Sequence, residues 1–153
     1  MKYLVLAVAF LSCAVASAMP KIGDYSAMNV ILNNNPIGTL ENELTQYDAT
    51  KNQYLQVTTQ TYSGTKQTSQ SWTNGISDTE IANILAACTN YGGNPQTVTE
   101  PAGTFSTCAL PVNNNGAVGQ VWIGAVALGI VKIDLTQGAN HIIADLASFR
   151  LGQ

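Results

Sequence analysis

Few side chains in this chain of 153 residues could do chemistry. The single histidine, His141, would have to be the base of any hydrolytic triad, which also needs a nucleophile and an orienting acid. No serine lies in a Gly-x-Ser-x-Gly turn, which positions the nucleophile in one large class of hydrolases. We expect His141, at the start of a predicted strand beside a turn, to be a surface residue. The sequence therefore does not predict a hydrolase.

The carboxylates form no acid–base pair that the sequence can place in a cleft. Glu41 and Glu43 share one face of a polar predicted strand, where a solvated surface explains them. Asp134 and Asp145 lie on neighbouring segments, but strand alternation alone does not bring them together. Metal sites need His, Cys or clustered acids at ligand spacing, and phosphate loops need glycines that open a helix. We predict a non-enzymatic protein without a metal or cofactor.

Cys88 and Cys108 are expected to form a structural disulfide. They are the only cysteines after residue 18, and no C-x-x-C spacing points to a redox pair. A metal pair is the other alternative, but the single histidine is far away in sequence. Closing a loop of about 20 residues would stabilise the fold by roughly 3 kcal/mol in the chain-entropy model.

The first eighteen residues are typical of a secretory signal peptide. Met1-Lys2 gives a short positive start, Tyr3 to Val15 is almost unbroken apolar, and Ala16-Ser17-Ala18 is a small-x-small cleavage pattern. A transmembrane helix needs about 20 apolar residues, more than this run provides. Lipid attachment at Cys13 is less favoured, because the residues before it do not fit a lipoprotein signal. We expect residues 19–153 to be a single secreted or periplasmic domain with no integral membrane segment.

Composition argues against two classes of partner. Charged residues make up 10% of the chain, against roughly 25% in ordinary soluble proteins, and 16 Thr, 14 Asn and 10 Gln take their place. Without Lys2, five basic and nine acidic residues leave a net charge of −4. Because no basic stripe exists, we expect neither nucleic acid nor an anionic membrane surface as a partner. Uncharged polar residues with β-branched Thr suit exposed strand faces.

Alternating apolar residues and short turn-rich connections predict an antiparallel sheet. Asn33 to Pro36 is predicted to interrupt it, because proline has no donor for the ladder. A second block of strands is predicted to begin near Thr97. The predicted strands are Tyr25–Leu32, Gly38–Tyr47, Tyr54–Tyr62, a polar strand that ends near Trp72, Thr104–Val112, Gly119–Val126, Ile130–Leu135 and His141–Phe149.

One helix, over about residues 78–91, is predicted between the two blocks. Ser77-Asp78-Thr79-Glu80 has the pattern of a capping box. One helical stripe follows, and Gly92-Gly93 ends it. The stripe consists of Ile81, Ile84, Leu85 and Cys88. The predicted fold class is therefore α+β: a strongly curved antiparallel half-barrel of about eight strands, packed on one helix that the disulfide joins to a strand.

The run from Val121 to Val131 is apolar on both faces, which is typical of a segment that is covered on both sides. It predicts either a central strand pair beneath the helix or the wall of a cavity for an apolar ligand. The candidate wall residues are Trp122, Val126, Leu128 and Ile84. We expect Trp122 to belong to the core, and Trp72 to be partly exposed, where it could anchor a partner.

Several stretches resemble uncharacterised exported bacterial proteins. They are Ile22–Tyr25, Pro101–Cys108, Val121–Gly124, Gly129–Lys132 and Asp145–Phe149. This group is similar in outline to the lipoprotein-carrier (LolA-like) superfamily, in which a curved sheet half-wraps a helical element and shelters acyl chains. This chain is shorter than those carriers and has one predicted helix where they have more. The resemblance implies a binding protein that holds a hydrophobic or lipid-like ligand between helix and sheet. The alternative is a packed interaction or structural module that binds another exported protein.

Overall fold

The computed structural model describes residues 19–153; the predicted signal peptide, with Cys13, lies outside them. The described part contains nine strands, one α-helix and a short 3-10 turn. Their bounds are β1 Tyr25–Leu32, β2 Asn35–Asp48, β3 Gln53–Tyr62, β4 Thr65–Thr73, α1 Asp78–Ala86, the 3-10 turn Cys88–Tyr91, β5 Asn94–Glu100, β6 Gly103–Asn114, β7 Ala117–Gly124, β8 Ile130–Gln137 and β9 Asn140–Arg150.

All nine strands form one open, curved antiparallel sheet in the order β4-β3-β2-β1-β9-β8-β7-β6-β5. Two meanders, β1–β4 and β5–β9, join where the first strand pairs with the last. The predicted α+β class, with an antiparallel sheet and one helix, is confirmed. The sheet has nine strands rather than about eight, because β5 forms a separate strand that begins at Asn94, before the predicted start near Thr97.

The predicted break at Asn33–Pro36 is confirmed at its first two residues, but it is shorter than expected. Asn33 and Asn34 make the turn, with φ values of 49° and 66°, and β2 already begins at Asn35. Pro36 pairs with Ile31 where the register shifts beside Val30. A bulge interrupts the ladder of hydrogen bonds, so a residue without an N–H donor is tolerated there.

The helix begins as the capping box predicts. The Ser77 hydroxyl accepts a hydrogen bond from the Glu80 N–H at 3.2 Å, and the Ser77 N–H donates to the Glu80 carboxylate at 2.8 Å. The α-helix ends at Ala86, however, and the chain continues as the 3-10 turn Cys88–Tyr91 before Gly92 adopts a left-handed conformation. The predicted helix over 78–91 is thus two elements. Within residues 19–153, no helix is long and apolar enough to cross a membrane.

Helix α1 packs against β6 and β7. The Cys88–Cys108 disulfide confirms the predicted pairing and ties the turn after the helix to β6, with 5.5 Å between the two Cα atoms. The largest completely buried side chains are those of Leu44, Leu146 and Val131, together with Cys108.

Candidate functional site: a groove on the inner face of the sheet

Cross-strand pairing places a series of apolar side chains on one face of the sheet, which we call the inner face. Val30 lies opposite Ala144, which in turn lies opposite Ile133. Met28, two residues before Val30, therefore points to the same side and lies opposite Leu40. Met28 and Ala144 are buried, whereas Val30, Leu40 and Ile133 remain partly exposed. Part of this apolar surface is therefore left accessible.

One depression on the inner face, which we call the Met28 depression, has a volume of about 200 Å³. Met28, Leu40 and Ile133 contribute to it from the sheet. Ile76, from the segment between β4 and the helix, and Leu128, from the β7–β8 connection, line it as well. Leu128 adopts a left-handed backbone conformation in that connection, with a φ of 62°. The two connections thus help to enclose one end of the inner face.

Two further depressions continue from this one towards the tip of the β3–β4 hairpin. The middle one, about 190 Å³, is lined by Val30, Ile37 and Tyr62 and shares Leu40 with the Met28 depression. The outer one, about 540 Å³, lies at the β3–β4 turn and shares Gln60 and Tyr62 with the middle one. The three together form a groove, which we call the inner groove, from buried Met28 to exposed Tyr62.

The lining of the inner groove is uncharged. Its polar groups include amides and hydroxyls. Three polar side chains on β2 and β3 are connected: the Asn42 side-chain oxygen accepts hydrogen bonds from the Gln56 amide at 2.9 Å and from the Thr58 hydroxyl at 2.8 Å. No Asp, Glu, Lys, Arg or His lines the three depressions. A groove without charged side chains, whose walls around Met28 and Leu40 are largely apolar, suits a neutral, largely apolar ligand, because burying a charge there would have no compensating partner.

The four predicted wall residues do not lie together. Leu128 lines the inner groove, whereas Val126 lines a separate cavity of about 250 Å³ between the helix and the β7–β8 connection, with Ile81 and Leu85. Trp122 is buried, as expected for a core residue, and its indole N–H donates to the Gln96 side chain at 3.1 Å. Ile84 is half-buried on the helix.

A cluster of one lysine and two acids lies on the sheet, and the sequence pattern does not indicate it. The Lys132 ammonium donates to the Glu100 carboxylate at 3.0 Å and to the Asp145 carboxylate at 2.9 Å. Burial raises the pKa of Glu100, although the hydrogen bond from Lys132 opposes that rise. Burial alone would lower the pKa of Lys132, but the hydrogen bonds to Asp145 and Glu100 outweigh it, and the pKa is raised.

This cluster connects the end of β5 to the strands β8 and β9. Lys132 lies opposite Asp145 in β9, whereas Glu100 comes from the end of β5. Beside it, the Ala102 N–H donates to the Leu146 carbonyl at 3.0 Å. The ion pairs therefore hold the β5–β6 turn against the middle of the sheet. Strand alternation predicts no such contact, because Glu100 and Lys132 are brought together only by the curvature of the sheet.

The other residues considered for catalysis each have a different interaction partner and do not form one cluster. His141 Nε2 lies 2.8 Å from an Asp134 carboxylate oxygen, and the His141 side chain is 40% exposed. Asp145 contacts Lys132 instead of joining Asp134 in a carboxylate pair. Glu43 accepts a hydrogen bond from Arg150 at 2.8 Å on an exposed surface. Within residues 19–153, no three His, Cys, Asp or Glu side chains are grouped in a way that could hold a metal ion.

Trp72 is partly exposed, as expected, and lies on the edge strand β4.

No family model and no curated protein matches this chain. Two crystal structures have a similar fold. A candidate lipoprotein from Parabacteroides distasonis is 9% identical, with a TM-score of 0.55 over 88% of this chain and 99% of that one. A candidate exported protein with a YmcC-like fold from Bacteroides fragilis is 12% identical, with a TM-score of 0.53 over 88% of this chain and 98% of that one. At these identities the likeness concerns the fold alone.

Proposed function

We propose that this protein is an exported, non-enzymatic binding protein that takes an extended apolar chain, such as an acyl chain, in the inner groove. The observation that supports this most is the continuity of the three depressions through Leu40, Gln60 and Tyr62. Export is supported by the leader sequence, by the disulfide, and by the exported or lipoprotein descriptions of the two proteins of similar fold.

The size of the groove favours an extended ligand over a compact one. Pockets for compact small molecules usually have volumes of about 300–1,000 Å³. The Met28 depression and the middle depression, at about 200 and 190 Å³, are each smaller than this. The outer depression, at about 540 Å³, reaches this range, but polar side chains form most of its lining. A flexible chain can occupy several small depressions in series, and each methylene group that it buries contributes about 0.8 kcal/mol. This site differs from the expected one, because it lies along the sheet rather than between helix and sheet.

The parallel with LolA-like carriers remains part of the proposal. It rests on a curved antiparallel sheet with a sheltered apolar face, and on the lack of charge along the groove. The alternative, an interaction module, is favoured by a different observation: every residue of β4 except Thr73 is exposed.

A titration with fluorescent fatty acids tests the binding function. We expect residues 19–153 to bind cis-parinaric acid, and unlabelled fatty acids to displace it with affinities that rise by up to about fourfold for each added methylene. The variant Leu40→Arg should abolish binding, because it places a charge where two depressions meet. The matched control is Thr59→Arg, on β3 but on the opposite face to Gln60, and it should bind normally. Equal binding by both variants, or affinity independent of chain length, would refute the groove as the site.

A further inference from the structure

The edge strand β4 lacks most of the features that keep edge strands from pairing with other chains, whereas the opposite edge strand, β5, has some of them. β4 runs for nine residues without proline, glycine or bulge, and Lys66 is its single charged residue. Edge strands usually carry proline, several charges or a bulge, which prevent pairing with other chains. The opposite edge, β5, contains Pro95 and ends at the buried Glu100. The sheet therefore has one edge that is available for pairing.

The β3–β4 turn determines which backbone groups of β4 point outward. Ser63 and Gly64 form a two-residue turn with φ values of 47° and 80°, as in a type I′ hairpin. The pair that closes such a turn, Tyr62 and Thr65, exchanges two hydrogen bonds, and bonded pairs then alternate along the strands. The odd-numbered residues of β4 thus bond to β3. The even-numbered ones direct their N–H and C=O groups outward, and they are Lys66, Thr68, Gln70 and Trp72.

We propose that β4 pairs antiparallel with β4 of a second copy of this chain, about a two-fold axis at Ser69, to form a homodimer with one continuous sheet. In this register all nine residues pair, from Thr65 opposite the partner's Thr73 onward. The four outward-pointing residues of each strand all fall in hydrogen-bonded pairs. Ser69 faces the partner's Ser69 in a non-bonded pair, where Cα atoms are about 4.5 Å apart.

The side chains of β4 are complementary to themselves in this register. Lys66 lies opposite the partner's Trp72 on the same face, so that each ammonium is next to an indole ring that is 44% exposed in the single chain. No like charges face each other across the axis, because Lys66 is the only charged residue of the strand. The remaining pairs join Thr, Ser and Gln side chains, which can hydrogen-bond across strands. A two-fold interface of this kind closes on itself and does not propagate into fibres.

Cysteine cross-linking tests both the dimer and its register. Residue 69 faces itself across the axis, so Ser69→Cys should form a covalent dimer under mild oxidation. The matched control Gln67→Cys, exposed on the same face of β4, should remain uncoupled, because residue 67 faces the partner's residue 71. Mixing Gln67→Cys with Ser71→Cys protein should produce the heterodimer. Sedimentation of the unmodified chain should show a dimer, and Trp72→Ala should weaken it several-fold.

The proposal is overturned by either of two results. One is a monomer at all protein concentrations up to the millimolar range. The other is a dimer in which Ser69→Cys couples no better than Gln67→Cys, which would mean that another surface forms the interface. If the chain is monomeric but β4 binds an extended segment of a different exported protein, the homodimer is likewise refuted. None of these results depends on whether the inner groove binds an apolar chain.

Discussion

Replacement of Lys132 by methionine should destabilise the protein in a strongly pH-dependent way. Lys132→Met keeps most of the side-chain volume but leaves Glu100 and Asp145 without their shared cation. Breaking a buried ion pair by removing one partner costs about 3–5 kcal/mol. The Lys132 and Asp145 side chains are 24% and 19% exposed, and Glu100 only 6%, so we expect a loss near the lower limit, about 3 kcal/mol at neutral pH.

The pH dependence follows from the pKa of Glu100. Burial already raises this pKa, and Lys132→Met removes the ammonium that opposes the rise. A carboxyl whose pKa is higher in the folded protein contributes full stability below its unfolded pKa and loses it as the pH rises through the folded value. Most of the stability that the variant loses at neutral pH should therefore return at about pH 4, where Glu100 is protonated. In the unmodified protein, the pKa of Lys132 is raised above its ordinary value of 10.5. The ion pairs of Lys132 therefore stabilise the fold fully up to that pH, and this stabilisation is lost as the pH rises through the raised pKa.

Urea unfolding followed by tryptophan fluorescence measures this effect at about pH 7.5 and pH 4. The matched control is Lys51→Met, which removes an exposed lysine from a 3.8 Å pair with Asp48 and should change the free energy of unfolding by less than about 1 kcal/mol. The reasoning is refuted if Lys132→Met costs the same at both pH values. It is also refuted if its cost at neutral pH does not exceed that of the control.

Three further predictions concern the fold. Replacing Cys88 and Cys108 together by alanine should lower the free energy of unfolding by about 3 kcal/mol, and an unchanged urea midpoint would contradict this. Ser77→Ala should lower the free energy of unfolding by about 1 kcal/mol in the same assay, since it removes the cap of the helix. Ser77→Asp should recover most of that loss, and a failure to do so would argue against a capping role. Gly38→Ala should cost more than about 2 kcal/mol, because the new Cβ would clash with the Thr61 backbone carbonyl; a thermal midpoint equal to the parent's would disprove that clash.

The features that sequence analysis predicted correctly are local ones. The capping box at Ser77, for example, depends on residues within a few positions of each other. The disulfide required only that two cysteines remain after the leader. Pro36 was misplaced because its tolerance depends on a bulge between the neighbouring strands β1 and β2, which the sequence pattern does not show.

The candidate site was harder to predict because its walls come from distant segments. Leu128 was recognised as a wall residue, but its neighbours Met28 and Leu40 come from the other meander. The predicted helical stripe contains both Ile81 and Ile84; Ile84 was expected in the cavity wall, whereas Ile81 is the residue of α1 that becomes buried. The ion pair of Glu100 with Lys132 likewise joins residues 32 positions apart. Such contacts follow from the curvature and register of the sheet, which alternation patterns alone do not determine.

Native mass spectrometry tests the central claim, that the inner groove holds an apolar chain, most directly. The protein should be exported into a bacterial periplasm and purified without detergent, alongside Leu40→Arg and the control Thr59→Arg. We expect the parent and the control to carry an adduct of a few hundred daltons that dissociates on activation, and Leu40→Arg to be detected without this adduct. An adduct-free parent from several lipid-rich preparations, or an adduct retained in full by Leu40→Arg, would contradict the account.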